Sequence, residues 1–327
     1  MGIKFRWIVA ILSVAGISGV FSSCRPGNEY RKYEGVVWNT TFNIIYSSDR
    51  NLDDSVRIVM RDVELSLSPF NKASRITEIN NKDSVEVDSM IIKVFDASLE
   101  INRRSGGLFD PTLAPLINAY GFGYKKDGNF TPDKEKIDSA LNLVGISRCR
   151  IIDGRMIKKH PGTQFNFSAI TKGFGVDEVA RMLMRNGVED YLVEIGGEIR
   201  VGGVNPDGKK WRIQIDAPVD NGGVPAHEQL MMLPLTDISV ATSGNYRNNR
   251  TVEGGKKIGH TISPVTGEPV QNEYLSVTIF APECMVADGW ATAIMAGTPV
   301  DSLPSGISAI TVSLRGETYL IERHNFQ

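Results

Sequence analysis

Cysteine is scarce in this chain, with three in 327 residues, at Cys24, Cys149 and Cys284. A disulfide framework is excluded as the basis of the fold, and a chain this long does not need one. Two free, buried thiols are expected at Cys149 and Cys284 instead. Histidine is scarcer than its four copies suggest, since none sits with cysteine at zinc-ligand spacing. Neither sign of charge predominates. Thirty-six Lys and Arg against 38 Asp and Glu give a formal net charge of −2, with no basic stripe, which excludes nucleic acid as a partner. There is no Gly-x4-Gly-Lys-Ser/Thr loop, no Gly-x-Gly-x-x-Gly fingerprint, no repeat of fixed period and no low-complexity tract.

What is present begins with a targeting segment. Lys4 and Arg6 precede an apolar run from Trp7 to Phe21 that only Ser and Gly interrupt, and Ser22-Ser23 lead to Cys24. The run is too short for a comfortable membrane span and has the layout of a secretory signal. It resembles a bacterial lipoprotein signal in which Cys24 becomes the lipidated first residue, with Phe21 where leucine is usual. The expected organisation is a signal peptide over 1–23, a polar tether over 24–35 and one folded domain over 36–327.

Within that domain, Trp38 to Tyr46 reads as a strand. Helical spacing runs over Asp53 to Leu67 and Asp88 to Arg103, and Pro132 opens another helix that ends at Gly145. Asp153-Gly154 predicts a hairpin between Arg148–Ile152 and Met156–Lys159, and Gln164 to Phe167 reads as a strand. A helix over Ala169 to Arg185 closes at Asn186-Gly187. Strands follow at 191–195, 198–201, 211–216, 231–235, 238–241, 275–281, 309–314 and 318–322, with a helix over Asp288 to Met295. Strands succeed one another without regular helix alternation. This predicts an α+β fold with mixed, largely antiparallel sheets and packed helices.

Several stretches can carry chemistry, and each has a plain structural alternative. Asp288 and Thr292 stand one helical turn apart on one face, where their oxygens can hold a hard cation or where Asp288 can simply cap the helix. Asn166 to Gly175 runs from a strand into a helix, exposing N–H groups beside Lys172. That suits phosphate, and it equally suits a capped amphipathic helix with a solvated lysine. Leu108 to Gly123 sets aromatics beside glycines, as a platform for a planar ring or as a buried loop. Gly196-Gly197 and Gly202-Gly203 read as tight turns flanking a strand. His260, between Gly259 and a Ser-Pro turn, can move protons in a cleft or sit on a surface loop. His160, His227 and His324 read as surface residues.

Taken in order, these pieces resemble the ApbE family of FAD:protein FMN transferases. The motifs are Phe-Asp-Pro-Thr at 109–112, Tyr-Gly-Phe-Gly at 120–123, Ile-Thr-Lys-Gly-Phe-Gly-Val-Asp at 170–177 and Gly-Gly-Glu-Ile at 196–199. Thr-Ser-Gly-Asn-Tyr at 242–246, His-Thr-Ile-Ser-Pro-Val-Thr-Gly at 260–267 and Ala-Asp-Gly-Trp-Ala-Thr at 287–292 follow. The resemblance implies a Mg²⁺-dependent enzyme that moves FMN from FAD to a Ser/Thr hydroxyl of an acceptor flavoprotein and releases AMP. An FAD pyrophosphatase or a non-catalytic flavin-binding lipoprotein is the alternative. It implies metal ligands at Asp288, Thr292 and the carbonyl of Ala169. Flavin contacts are implied at Trp38, Phe70, Leu108, Phe109, Asp110, Asn166, Lys172, Ile262 and Ala291, with His260 and Asp288 in catalytic roles. Its acceptors imply flavin-bearing subunits of membrane electron-transport complexes as partners, and a lipid-anchored position in the cell envelope facing the periplasm. The chain departs from the family pattern at Trp38-Asn39, where Met-Gly is usual, at Phe70 (usually Tyr), at Asn166 (often Asp) and at Ser263 (often Asp). Some members carry Asp where Ala291 stands.

Overall fold

A computed structural model describes residues 29–123, 133–219, 228–244, 249–251 and 257–326. The expected signal, Cys24, Pro132, His227, Asn245 and Tyr246 lie outside them. In chain order the elements are β1 (Tyr30–Val37), β2 (Thr40–Ser47), α1 (Asp53–Leu67), α2 (Arg75–Asn81), β3 (Val85–Glu86), α3 (Ser89–Arg104), α4 (Ala114–Ala119), α5 (Lys134–Leu141), β4 (Cys149–Ile152) and β5 (Arg155–Lys158). The second half holds α6 (Ser168–Arg185), β6 (Tyr191–Ile195), β7 (Glu198–Gly202), β8 (Trp211–Asp216), β9 (Gln229–Leu235), β10 (Ile238–Gly244), β11 (Asn249–Thr251), β12 (Lys257–Gly259), β13 (Tyr274–Ala281), α7 (Cys284–Met295), β14 (Ser308–Arg315) and β15 (Thr318–His324).

Eight strands form one sheet in the order β1-β2-β6-β7-β10-β13-β14-β15, and every pairing between these strands is antiparallel. Side chains alternate across it with period two. Ala241, Val277, Ile279 and Ala309 point to a core shared with α1, α3, α6 and α7. Val240, Phe280 and Ile310 point the other way, under the β8–β9 ribbon through Ile215. The expected α+β class with antiparallel sheets is what the chain adopts. Among the described residues no helix is long and apolar enough to cross a membrane. Cys149 and Cys284 are free and buried, as expected.

Three local readings need correction. Residues 30–35 of the expected tether (24–35) join the strand from Trp38 in a hairpin, because Tyr30–Val37 pairs with β2. Trp38 and Asn39 form its two-residue turn with φ of 49° and 61°. Both residues are left-handed, as a turn matched to strand twist requires, and a tryptophan there is strained. The strand expected over Gln164–Phe167 is reduced to a single parallel bridge of Gln164 with Leu113. Asn80 takes the place of a neighbouring strand, accepting from Phe165 N–H at 2.7 Å and donating to its carbonyl at 2.8 Å. The helix expected from Asp288 starts four residues earlier, at Cys284.

Candidate functional site

The two helices α6 and α7 approach closely at Gly173 of α6, where the missing side chain makes room for the backbone of α7. A Cβ added to Gly173 would lie 2.3 Å from the Cys284 carbonyl oxygen and 2.9 Å from Asp288 Cβ. Gly173→Ala is therefore expected to push α7 away from α6 and to weaken any ligand bound across them. The check is cation binding in a folded variant, with a fall of about 10-fold or more expected.

At this contact the three residues expected to hold a cation come together. Asp288 is 5% exposed, and its Oδ2 accepts the Gly173 N–H at 3.0 Å. In a regular helix that N–H belongs to the carbonyl four residues back, here Ala169. The carboxylate competes for it, which leaves lone-pair capacity on Ala169 O. Thr292 Oγ1, one turn beyond Asp288, donates to that carbonyl over 3.5 Å and also lies 3.4 Å from Ser243 Oγ at the end of β10. The donor set is entirely oxygen: a carboxylate, two hydroxyls and a carbonyl. Such a set fits Mg²⁺, which takes one or two carboxylates and fills its shell with water and phosphate. Since α7 begins at Cys284, Asp288 is not its cap; its carboxylate instead ties α7 to the Gly173 N–H of α6.

Charge accumulates beside these oxygens. Lys172, one turn into α6, bonds Glu198 Oε1 at 2.6 Å, with the carboxylate side chain only 3% exposed. Burial pushes the Glu198 carboxyl up to about 7 against the pull of Lys172, and Asp288 adds to the rise. Burial opposes the Lys172 ammonium too, but Glu198 and Asp288 outweigh it and hold the lysine above its ordinary value. Burial likewise raises Asp288, while Lys172 and the Gly173 N–H restrain it. Glu198 Oε2 is buried with no hydrogen-bond partner among the described residues. Lys172 is thus no solvated surface lysine. Glu198 lines the candidate site and was not among the residues expected there. Its signal was the Gly196-Gly197 turn before it, with φ of 62° and 94°, which aims the next side chain inward.

The expected flavin contacts divide. Asn166 sits at the start of α6 and orders it, its Oδ1 accepting the Ser168 N–H at 3.0 Å. Trp38 packs its ring on α6, where a Cβ on Gly175 would meet it at 2.3 Å, and its buried indole N–H has no hydrogen-bond partner among the described residues. Leu108 is half-buried, and Phe70 is 59% exposed. Phe109, Ala291 and Ile262 are within the apolar cores, at 1%, 0% and 3% exposure. Asp110 is consumed internally: Oδ1 accepts from the Thr112 N–H at 2.8 Å and Oδ2 from the Ile146 N–H at 3.0 Å. Its side chain shapes the Leu108–Thr112 loop. His260 follows β12, half-buried, with its ring edge-on to Phe122 at 6.5 Å. His324 is half-buried and bonds Thr311 at 3.0 Å rather than standing free on the surface.

Known proteins share this chain's sequence and fold. The ApbE family profile matches residues 35–304. The FAD:protein FMN transferase of Vibrio cholerae is 34% identical over 300 residues, 89% of this chain and 87% of that protein. The enzyme of the same name from Haemophilus influenzae is 30% identical over 304 residues, 88% of this chain and 86% of its own. Among solved structures, the flavin transferase ApbE from Vibrio cholerae superposes with a TM-score of 0.81 at 28% identity, covering 91% of this chain and 98% of that one. The apo form of the Pseudomonas stutzeri flavinyl transferase ApbE gives a TM-score of 0.81 at 29% identity, covering 91% and 95%. The ordered motifs, the antiparallel sheet backed by α6 and α7, and a family match over most of the sequence agree: this chain belongs to the ApbE family.

Proposed function

We propose that the protein transfers FMN from FAD to a serine or threonine hydroxyl of an acceptor flavoprotein and releases AMP, with Mg²⁺ required. The single observation that carries this reading is the convergence of Asp288, Thr292 and the Ala169 carbonyl beside the Lys172–Glu198 pair. Those three residues would hold Mg²⁺, which supplies charge neutralisation at phosphate oxygens. Lys172 and the opening N–H groups of α6 favour the same negative charge, and their placement on rigid helices means little reorganisation during the reaction. Trp38, strained and with an unpaired N–H, gives a flat apolar wall and one donor for the flavin.

The acceptor oxygen forms a bond to the FMN phosphorus as the phosphoanhydride bond to AMP breaks, and His260 takes the hydroxyl proton. The product is a phosphoester-linked flavoprotein. The leader and Cys24 fit a lipid-anchored enzyme facing the periplasm, where acceptor subunits of membrane electron-transport complexes would meet it.

The test is incubation of the protein with FAD, Mg²⁺ and an acceptor domain, followed by in-gel flavin fluorescence and intact mass. Acceptor labelled by one FMN, in a Mg²⁺-dependent manner, is expected. FAD consumed while the acceptor stays unlabelled would replace the transferase reading with an FAD pyrophosphatase, and FAD bound but unchanged would replace it with a carrier.

A further inference from the structure

The oxygens that would hold the cation come from two helices, so their spacing depends on how α6 and α7 are fixed to each other. The start of α7 has an unusual capping arrangement. Its own N-cap residue, Glu283, makes no side-chain cap bond. Helix N-termini leave their first N–H groups without intrahelical partners, and burying such groups unpaired is costly. Here the acceptor comes from the other helix. Asp177 of α6, with no exposed surface, accepts the Cys284 N–H on Oδ1 at 3.0 Å and the Met285 N–H on Oδ2 at 2.9 Å. Arg200 of β7 donates to the same Oδ1 at 2.5 Å, compensating the buried charge.

The arrangement is reciprocal. Asp177 on α6 holds backbone N–H groups of α7, and Asp288 on α7 holds the Gly173 N–H of α6 at 3.0 Å. Asp177 lies one turn from Gly173 along α6, and Cys284 lies one turn from Asp288 along α7. The two carboxylates therefore bracket the close approach at Gly173. Removing either loosens one end of this contact, leaving the Arg181–Glu283 ion pair at 2.6 Å and the Thr292–Ala169 contact at 3.5 Å as the remaining polar ties beside the other carboxylate.

We propose that Asp177 is a positioning residue for cation binding: by capping α7 from α6 it sets the distance between the Ala169 carbonyl and the Asp288 and Thr292 oxygens. This rests on the Mg²⁺ reading above. Outer groups that orient ligands typically change metal affinity by about 10–100-fold.

The experiment titrates Mg²⁺ into full-length protein by calorimetry, with Mn²⁺ followed by electron paramagnetic resonance as a second probe. Wild type, Asp177→Asn and Cys284→Pro are compared. Asparagine keeps the shape but turns an NH₂ toward a backbone N–H or Arg200. Proline at the first helical position deletes one capped N–H while suiting a helix start. Asp177→Asn is expected to weaken cation binding by about 10–100-fold. Turnover at saturating Mg²⁺ should recover to within a few-fold of wild type. Cys284→Pro is expected to weaken binding less, by several-fold. A purely structural role would lower the melting temperature and leave the half-saturating Mg²⁺ concentration unmoved, and that result overturns the inference. If Asp177→Asn does not fold, Cys284→Pro decides, and unchanged cation affinity in it counts against the proposal. A wild-type protein that binds no Mg²⁺ and turns over without it would defeat the metal reading itself, a different outcome from wild-type binding with unshifted variants.

Discussion

Asp288→Ala is expected to lower Mg²⁺-dependent turnover of FAD by about 10³-fold. Charge stabilisation by a bound cation is worth several kcal/mol in a transition state, and each ~1.4 kcal/mol is a factor of ten. The stability effect should have the opposite sign. In the cation-free protein Asp288 is a carboxylate raised by burial, sharing its surroundings with Glu198. Relieving that costly arrangement in Asp288→Asn, which keeps an oxygen for the Gly173 N–H, should raise the melting temperature by about 2–4 °C, roughly 1 kcal/mol for a domain of this size. A helix cap would behave otherwise, because losing it destabilises by about 1 kcal/mol. The measurements are steady-state turnover across Mg²⁺ concentrations and thermal melts without metal. Activity retained, or a variant less stable than wild type, would remove Asp288 from the metal site.

The sequence carries the fold's class and most of its elements because their signals are local. Asp88 caps α3 through the Met90 and Ile91 N–H groups, and Asp153-Gly154 turns β4 into β5, with φ of 49° and 71°. What the sequence does not show are pairings made at long range. The Phe165 strand reading fails because Asn80, 85 residues earlier, satisfies the backbone that a strand would have used. The start of α7 is misplaced because its cap, Asp177, lies more than 100 residues upstream. The site divides the same way. The i,i+4 spacing of Asp288 and Thr292 is visible in sequence, and the ordered motifs add Ala169. Glu198 is marked in the sequence only by the Gly196-Gly197 turn, and its pairing with Lys172 emerges only when β7 brings the two together.

Lys172→Met carries the second large effect, and its partner makes the reason testable. Removing the ammonium takes a fixed positive charge from the phosphate side of the site, and losses of about 10²–10³ in turnover are typical for one such group. It also leaves Glu198 buried with neither oxygen bonded to a cation. Breaking a buried pair from one side destabilises by about 3–5 kcal/mol when the remaining group must stay charged. Glu198 has another course, since burial already holds its carboxyl at about 7, far above an unfolded glutamic acid. Its folded form binds a proton more tightly than the unfolded chain, so its contribution to stability is fullest at low pH and falls as pH rises through the folded value. Without Lys172 that value moves higher. The destabilisation in Lys172→Met should therefore be small near pH 5.5 and grow above about pH 7 by up to roughly 1.4 kcal/mol per unit. Glu198→Gln in the same background removes the titrating group, and the double variant should regain stability at pH 8.5 while remaining as inactive as Lys172→Met. Denaturant unfolding of wild type, Lys172→Met and the double variant at both pH values measures this. A pH-independent loss would detach the destabilisation from ionisation of Glu198, and activity returning with stability would mean that the lysine serves only to neutralise Glu198. A double variant that is stable and inactive separates the two roles: Lys172 neutralises the buried Glu198 carboxylate, and its partly exposed ammonium acts on the substrate.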